Sequence, residues 1–225
     1  METLTAVDFT EPRFTTPILT VKDIATLVDM PIDTAQAWAG QRRDRPQLFT
    51  RFPQDRRGWP SVPLIGLAEA SSLRALKSFL PPSEVAVAAR YIKDHADRPH
   101  ALASQRLVTD GATAYVEEYH GESVTRLRDQ QTTIVEVFRD HLRPLVFLED
   151  EFPIAYKVPQ LPGVEINPNF NAGRMSFRRN RVPVFAVAGS LLGGDSRDEV
   201  EEQYRLTADE VLSVERQLDW LTQAA

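Results

Sequence analysis

From Val21 onward apolar residues recur at helical spacing. Val21, Ile24, Ala25, Leu27 and Val28 share one face behind Thr20, and Asp23 stands where a capping partner belongs. The pattern predicts a helix over 21–28. Asp29-Met30-Pro31 interrupts it, Asp33 is placed to cap a second helix, and Ala35, Ala37, Trp38 and Ala39 continue until Gly40 ends the run. Two short helices joined by a tight turn follow. Ahead of them, residues 1–17 have no period and two prolines, and read as a loosely held arm.

Further along, Leu48, Phe49 and Phe52 alternate with polar positions and Asp55–Gly58 suit a turn, which predicts a small β-wing. Leu64, Leu67, Ala68, Leu73, Leu76 and Phe79 then mark a third helix, stopped by Pro81-Pro82. A fourth follows, with Ser83 as its cap and Val85, Ala88, Ala89 and Ile92 on one face. Beyond Pro99 the period shortens. Asp110-Gly111 between β-prone runs reads as a hairpin, and TTIVEVFRDHL alternates like a strand, so a β-rich segment is expected between Ala101 and Val158. FLEDEFPIAYKVPQLPGV, with three consecutive acids and three prolines, reads as a linker or a proline-cornered crossover. VPVFAVAGSLLGG, SRDEVEEQY and TADEVLSVERQLDWL read as three helices. The last two open with capping boxes, Ser196 with Glu199 and Thr207 with Glu210.

The expected fold is therefore mainly α with a small β-rich segment. An N-terminal (winged) helix-turn-helix domain occupies 1–100, a β-rich connecting segment 101–163, and a C-terminal three-helix domain, itself helix-turn-helix-like, 164–225. A chain of 225 residues, 42% hydrophobic, is long enough for two small cores, and 16 prolines against 10 glycines imply many fixed corners. The absence of cysteine removes disulfides, thiolate metal sites and cysteine nucleophiles. No apolar run has signal-peptide form or approaches the ~20 residues of a membrane span, so a soluble cytoplasmic protein without membrane association is expected.

The net charge of -6 argues against nucleic acid until its distribution is considered. Between Gly40 and Pro60 six arginines face two aspartates, a local +4, whereas from Asp195 to Ala225 nine acids face three arginines, a local -6. That asymmetry suggests two different partners. Two short helices with Thr34 and Gln36 exposed on the second can present it to a major groove, although a plain helical corner would show the same pattern. Six arginines around two aromatics favour the first reading, because such a loop grips phosphates beside the groove. The expected DNA contacts are Thr34, Gln36, Arg42, Arg43, Arg51, Arg56 and Arg57. A second basic cluster, Arg174, Arg178, Arg179 and Arg181, has no acid between Asn171 and Pro183 and suits either a phosphate, an acidic partner site or a solvated turn.

Catalytic signals are sparse. His95, His100, His120 and His141 form no metal-binding helix pair, Gly193-Gly194 lacks the lysine of a phosphate loop, and Glu149, Asp150 and Glu151 are adjacent and so point apart, which suits linker charge. No metal site and no cofactor are expected, and the protein is read as a non-enzyme.

In its order of helices, arginine wing, proline, helix and helix, the N-terminal part resembles MerR-like helix-turn-helix domains and the DNA-binding part of VapB-type antitoxins. The C-terminal part resembles the small uncharacterised domain that ends those antitoxins, through Ile166-Asn167-Pro168, Gly173-Arg174, Arg181-Val182-Pro183, Gly194 with Ser196, and Tyr204–Val211. HALASQRLVTDG in the middle is also similar. One departure is Gly173-Arg174-Met175, where that family has Gly-x-Pro. The resemblance implies a dimeric antitoxin that neutralises a PIN-domain (VapC-type) ribonuclease toxin and represses its own operon by binding operator DNA. Toxin contact would then fall on Arg174, Arg178, Arg179 and Arg181, since arginine can pair with the carboxylates of an acidic metal site. The alternative is a stand-alone helix-turn-helix regulator whose C-terminal domain only dimerises.

Overall fold

The computed structural model describes residues 7–40, 46–119 and 134–224. These residues divide into two compact units, one running to Ile154 and the other starting at Ala155. The division falls inside a strand.

The first unit is built on helices. Ahead of them all, α1 (Pro12–Thr15) buries Arg13 and Phe14. The arm expected to hang loose is thus tied down at its end. Helices α2 (Val21–Leu27) and α3 (Ile32–Trp38) follow, then α4 (Leu64–Phe79) and α5 (Pro82–Asp94). Twelve of the sixteen residues of α4 are buried, which makes it the central helix. Its small residues let the chain pass close by: a Cβ on Gly66 would stand 2.2 Å from the Thr50 carbonyl oxygen. The expected face of α5, Val85, Ala88, Ala89 and Ile92, is buried, although the helix opens with Pro82 in its first turn and is not capped by Ser83.

The stretch expected to be β-rich is helical over most of its described length. After a 3-10 turn at Ala101–Ala103, α6 spans Gln105–Tyr119, and residues 134–142 form α7. Val108, Ala112 and Tyr115 are buried at helical spacing, as are Ile134, Phe138 and Leu142. Gly111 marks no hairpin. It lies where α6 passes α5, and a Cβ there would meet Ile92 at 3.0 Å, so the glycine serves helix packing. The β-wing also forms no ladder: residues 46–61 contain no strand, only a turn near 57–58 and a Phe52 amide donating to the Ser61 carbonyl at 2.7 Å.

Strands β1 (Leu145–Phe147), β2 (Pro153–Lys157), β3 (Val164–Ile166) and β4 (Ser176–Phe177) form one sheet in chain order. Tyr156 pairs with Ile166 and Val164 with Phe177, both antiparallel. The proline-rich stretch read as a linker or a proline-cornered crossover therefore carries strand β2, with most of its remaining residues in the turns on either side. In the second unit α8 (Val184–Gly193), α9 (Arg197–Tyr204) and α10 (Ala208–Arg216) pack on one another around Val187, Val200, Val211 and Val214. Both expected capping boxes form. A break at Gln217 separates α11 (Leu218–Ala224), so the last expected helix is two.

Candidate functional site

In the first unit the candidate surface begins with the cap of α2. The Thr20 hydroxyl accepts from the Asp23 amide at 3.1 Å, while the Asp23 carboxylate accepts from the Thr20 amide at 2.7 Å. Two of the free donors at the helix start are satisfied together. The chain then reverses through Asp29, whose φ is 51°, and Met30, which is buried and donates its amide to the Ala25 carbonyl at 2.9 Å. Ala35 and Ala37 are buried on the inner side of α3. Thr34 and Gln36 are half-buried, and neither side chain makes a hydrogen bond among the described residues. Helix α3 carries no basic residue and presents Asp33 to solvent.

Of the loop arginines expected to bind DNA, Arg42 and Arg43 lie outside the described residues. Arg51 is half-buried and donates through Nη1 to the Ala39 carbonyl at 3.3 Å, at the C-terminal end of α3, where a cation complements the helix dipole. It is engaged in holding the loop. Arg56 and Arg57 are exposed. The Arg56 guanidinium lies 5.2 Å from the centre of the Trp59 ring, itself half-exposed. The Trp59 amide donates to the Arg56 carbonyl at 3.1 Å, and the Gln54 amide nitrogen donates to the Trp59 carbonyl at 2.7 Å. The turn is braced from inside, with Arg56, Arg57 and Trp59 at its outer edge.

A buried polar knot nearby escaped the sequence reading. Glu69 of α4 is 1% exposed, accepts from the Thr50 amide and sits 3.2 Å from His100 Nδ1, which is also 3.2 Å from the Thr50 hydroxyl. Phe9 and Phe14 pack on the His100 ring. The signal was an acid inside the apolar run LIGLAEASSL, and a buried carboxylate requires a partner. The knot joins the loop, α4 and the 3-10 turn. His95 and His141 each contact a carbonyl one helical turn back, and the described residues hold no cluster of three metal-ligating side chains.

In the second unit the four arginines of the β4 region separate into two kinds. Arg179 donates to the Arg205 carbonyl at 2.7 Å and to Glu210 at 2.9 Å, and so fastens the turn between α9 and α10. Arg181 pairs with the buried Glu165 at 2.7 Å and lies 3.6 Å over the Phe170 ring. These two hold the fold. Arg174 is exposed, its guanidinium 5.1 Å from the ring centre of Phe185. Arg178 is exposed, and its guanidinium has no partner among the described residues.

Against this geometry the likeness to known proteins can be placed. The chain is 27% identical over 224 residues to a Mycobacterium tuberculosis protein named "Putative antitoxin VapB45", across 89% of this chain and 93% of that relative. The likeness spans nearly the whole of both. The fold matches the X-ray crystal structure of Rv2018 from Mycobacterium tuberculosis with a TM-score of 0.70 and 24% identity, covering 90% of this chain and 98% of that one. Residues 164–215, from β3 through most of α10, match the family model described as "Protein of unknown function (DUF433)". No helix among the described residues is long and apolar enough to cross a membrane.

Proposed function

We propose that this chain is the antitoxin of a toxin–antitoxin pair: a binding protein, not an enzyme, that neutralises a PIN-domain ribonuclease and represses its own operon. The observation that carries this reading is the end-to-end likeness to a protein named as an antitoxin. The α2–turn–α3 pair then acts as the DNA-reading element. Thr34 and Gln36 face base edges, and Arg56 and Arg57 hold the backbone. In the second unit Arg178 is the cation free to enter an acidic nuclease site, where a guanidinium satisfies two carboxylate oxygens at once.

The test is co-expression of the full chain with the PIN-domain nuclease encoded beside it. Growth rescue with co-purification of the pair supports the proposal, and rescue lost in Arg178→Ala, with the variant folded, places the contact. A chain that neither rescues growth nor binds the nuclease, yet shifts its own promoter fragment, is a stand-alone regulator. For the DNA half, changing Arg56 and Arg57 together to alanine weakens binding to all sequences alike and lowers the slope of log K against log salt by about 2, since each phosphate contact contributes about 0.9. An unchanged slope excludes the turn as the phosphate grip.

A further inference from the structure

Helix α8 carries an outward face with no polar side chain. Phe185, Gly189, Leu192 and Gly193 are its exposed residues and fall on one arc of about 100°. Phe185 is 56% and Leu192 67% exposed, an arrangement a solvated helix avoids. The inner residues Val184, Val187 and Ala188 are buried, and the flanking Ser190 hydroxyl lies 3.1 Å from that of Tyr204, so the polar groups of the helix are turned away from the arc. Nothing among the described residues requires glycine there. A Cβ on Gly189 or Gly193 would meet no atom within 4 Å, and both positions have ordinary helical φ. Each glycine costs the helix about 1 kcal/mol relative to alanine, with no return in the packing of the chain itself.

Charge indicates what covers this face. At the Phe185 end stands Arg174, with its guanidinium over the ring. At the Leu192 end, just past the Gly194 cap, stand Asp195 and Asp198, both exposed and without an ion-pair partner among the described residues. The face is apolar in the middle, basic at one end and acidic at the other. Such a surface is complementary to itself when turned about a two-fold axis. We propose that the α8 face docks antiparallel on the same face of a second copy of this chain. The two helices cross near Gly189, with Phe185 and Leu192 packed across the axis and Arg174 of each copy against Asp195 of the other. The missing side chain at Gly189 lets the helices approach closely.

Sedimentation of the full-length chain, without DNA or any nuclease, tests this. The parent sediments as a dimer at micromolar concentration, and Gly189→Glu raises its dissociation constant at least tenfold. Because position 189 is open in the single chain, the variant keeps its helical circular dichroism and melts as a folded monomer. Arg174→Asp and Asp195→Arg each weaken the dimer, and the double exchange restores it, as a contact between Arg174 of one copy and Asp195 of the other requires. A parent that stays monomeric overturns the proposal. So does a dimer that survives Gly189→Glu, or an exchange that fails to restore association in a folded variant; the face then belongs to a different protein or carries no contact.

Discussion

Two ionic groups that tie distant segments of the first unit together, Arg13 and Glu69, are nearly dry, whereas in the second unit most paired groups lie at the surface. Arg13 is 2% exposed in its side chain and reaches Asp150 and Glu11, and Glu69 is closed in with His100 and Thr50. Arg179 with Glu210 and Arg197 with Glu215 are pairs whose arginines remain more than half exposed. Glu165 under Arg181 is the exception in the second unit. A charge shut away from water depends wholly on its partner, while an exposed one keeps its hydration when the partner leaves. The first unit is therefore the more sensitive to a single charge deletion. Its buried pairs also join segments far apart in the chain, which sets the position of the loop that carries Arg56 and Arg57.

The largest effect expected is that of Arg13→Ala. It leaves Asp150, 11% exposed, without its cation and frees the segment before α2. A loss of about 3–5 kcal/mol in chemical denaturation is expected. A loss below 1 kcal/mol would put Arg13 on a par with the surface pairs and erase the contrast.

Two glycines sharpen the comparison at the next level. Gly66 in α4 has the Thr50 carbonyl where its Cβ would stand, and the Val62 side chain 2.6 Å from the same point, so Gly66→Ala forces backbone apart and costs about 1–3 kcal/mol. Gly189 in α8 faces open space, and Gly189→Ala raises the stability of the dilute chain by up to about 1 kcal/mol. The same substitution thus has opposite signs in the two units, read in parallel denaturant titrations.

These contrasts also explain what the sequence made legible. Helices α4, α5, α9 and α10 were legible because each joins a 3.6-residue apolar period to a clear boundary, and the capping boxes at Thr20, Ser196 and Thr207 are local hydrogen-bond chemistry within four residues. Helix α6 was misread because Asp110-Gly111 resembles a turn, and only the position of Ile92 on another helix gives the glycine its purpose. The roles of the arginines were the least legible. Arg51, Arg179 and Arg181 look no different in sequence from Arg56 and Arg178, yet the first three are held by Ala39, Glu210 and Glu165. Net charge counts cations without saying which are already paired. Glu149-Asp150-Glu151, read as linker charge, contains the partner of Arg13 for the same reason.

A smaller effect belongs to the caps. Thr207→Ala removes the hydroxyl that accepts from the Glu210 amide at 3.3 Å and costs about 1 kcal/mol. Thermal melting of this variant beside Ser196→Ala, which removes the matching hydroxyl of α9, shows whether the two boxes of the second unit count alike.

The smallest effect expected is that of Arg179→Ala. Its side chain is 55% exposed, so removing it costs less than about 1 kcal/mol despite two hydrogen bonds. Its dependence on pH identifies the pair. Burial alone would raise the Glu210 carboxyl, but the Thr207 amide, the Arg179 guanidinium and the Thr207 hydroxyl outweigh it and hold the group below the ordinary glutamate value of 4.5. A carboxyl depressed in the folded state stabilises the protein above the unfolded value, and that contribution disappears as pH falls through the folded value. The parent and Arg179→Ala should accordingly differ most near neutral pH and converge in acid below pH 4.5. A gap that persists unchanged in acid would assign the effect of Arg179 to its bond with the Arg205 carbonyl instead. In that case the turn between α9 and α10 is held by a neutral acceptor, and the surface charges of the second unit contribute still less than the comparison with the first unit implies.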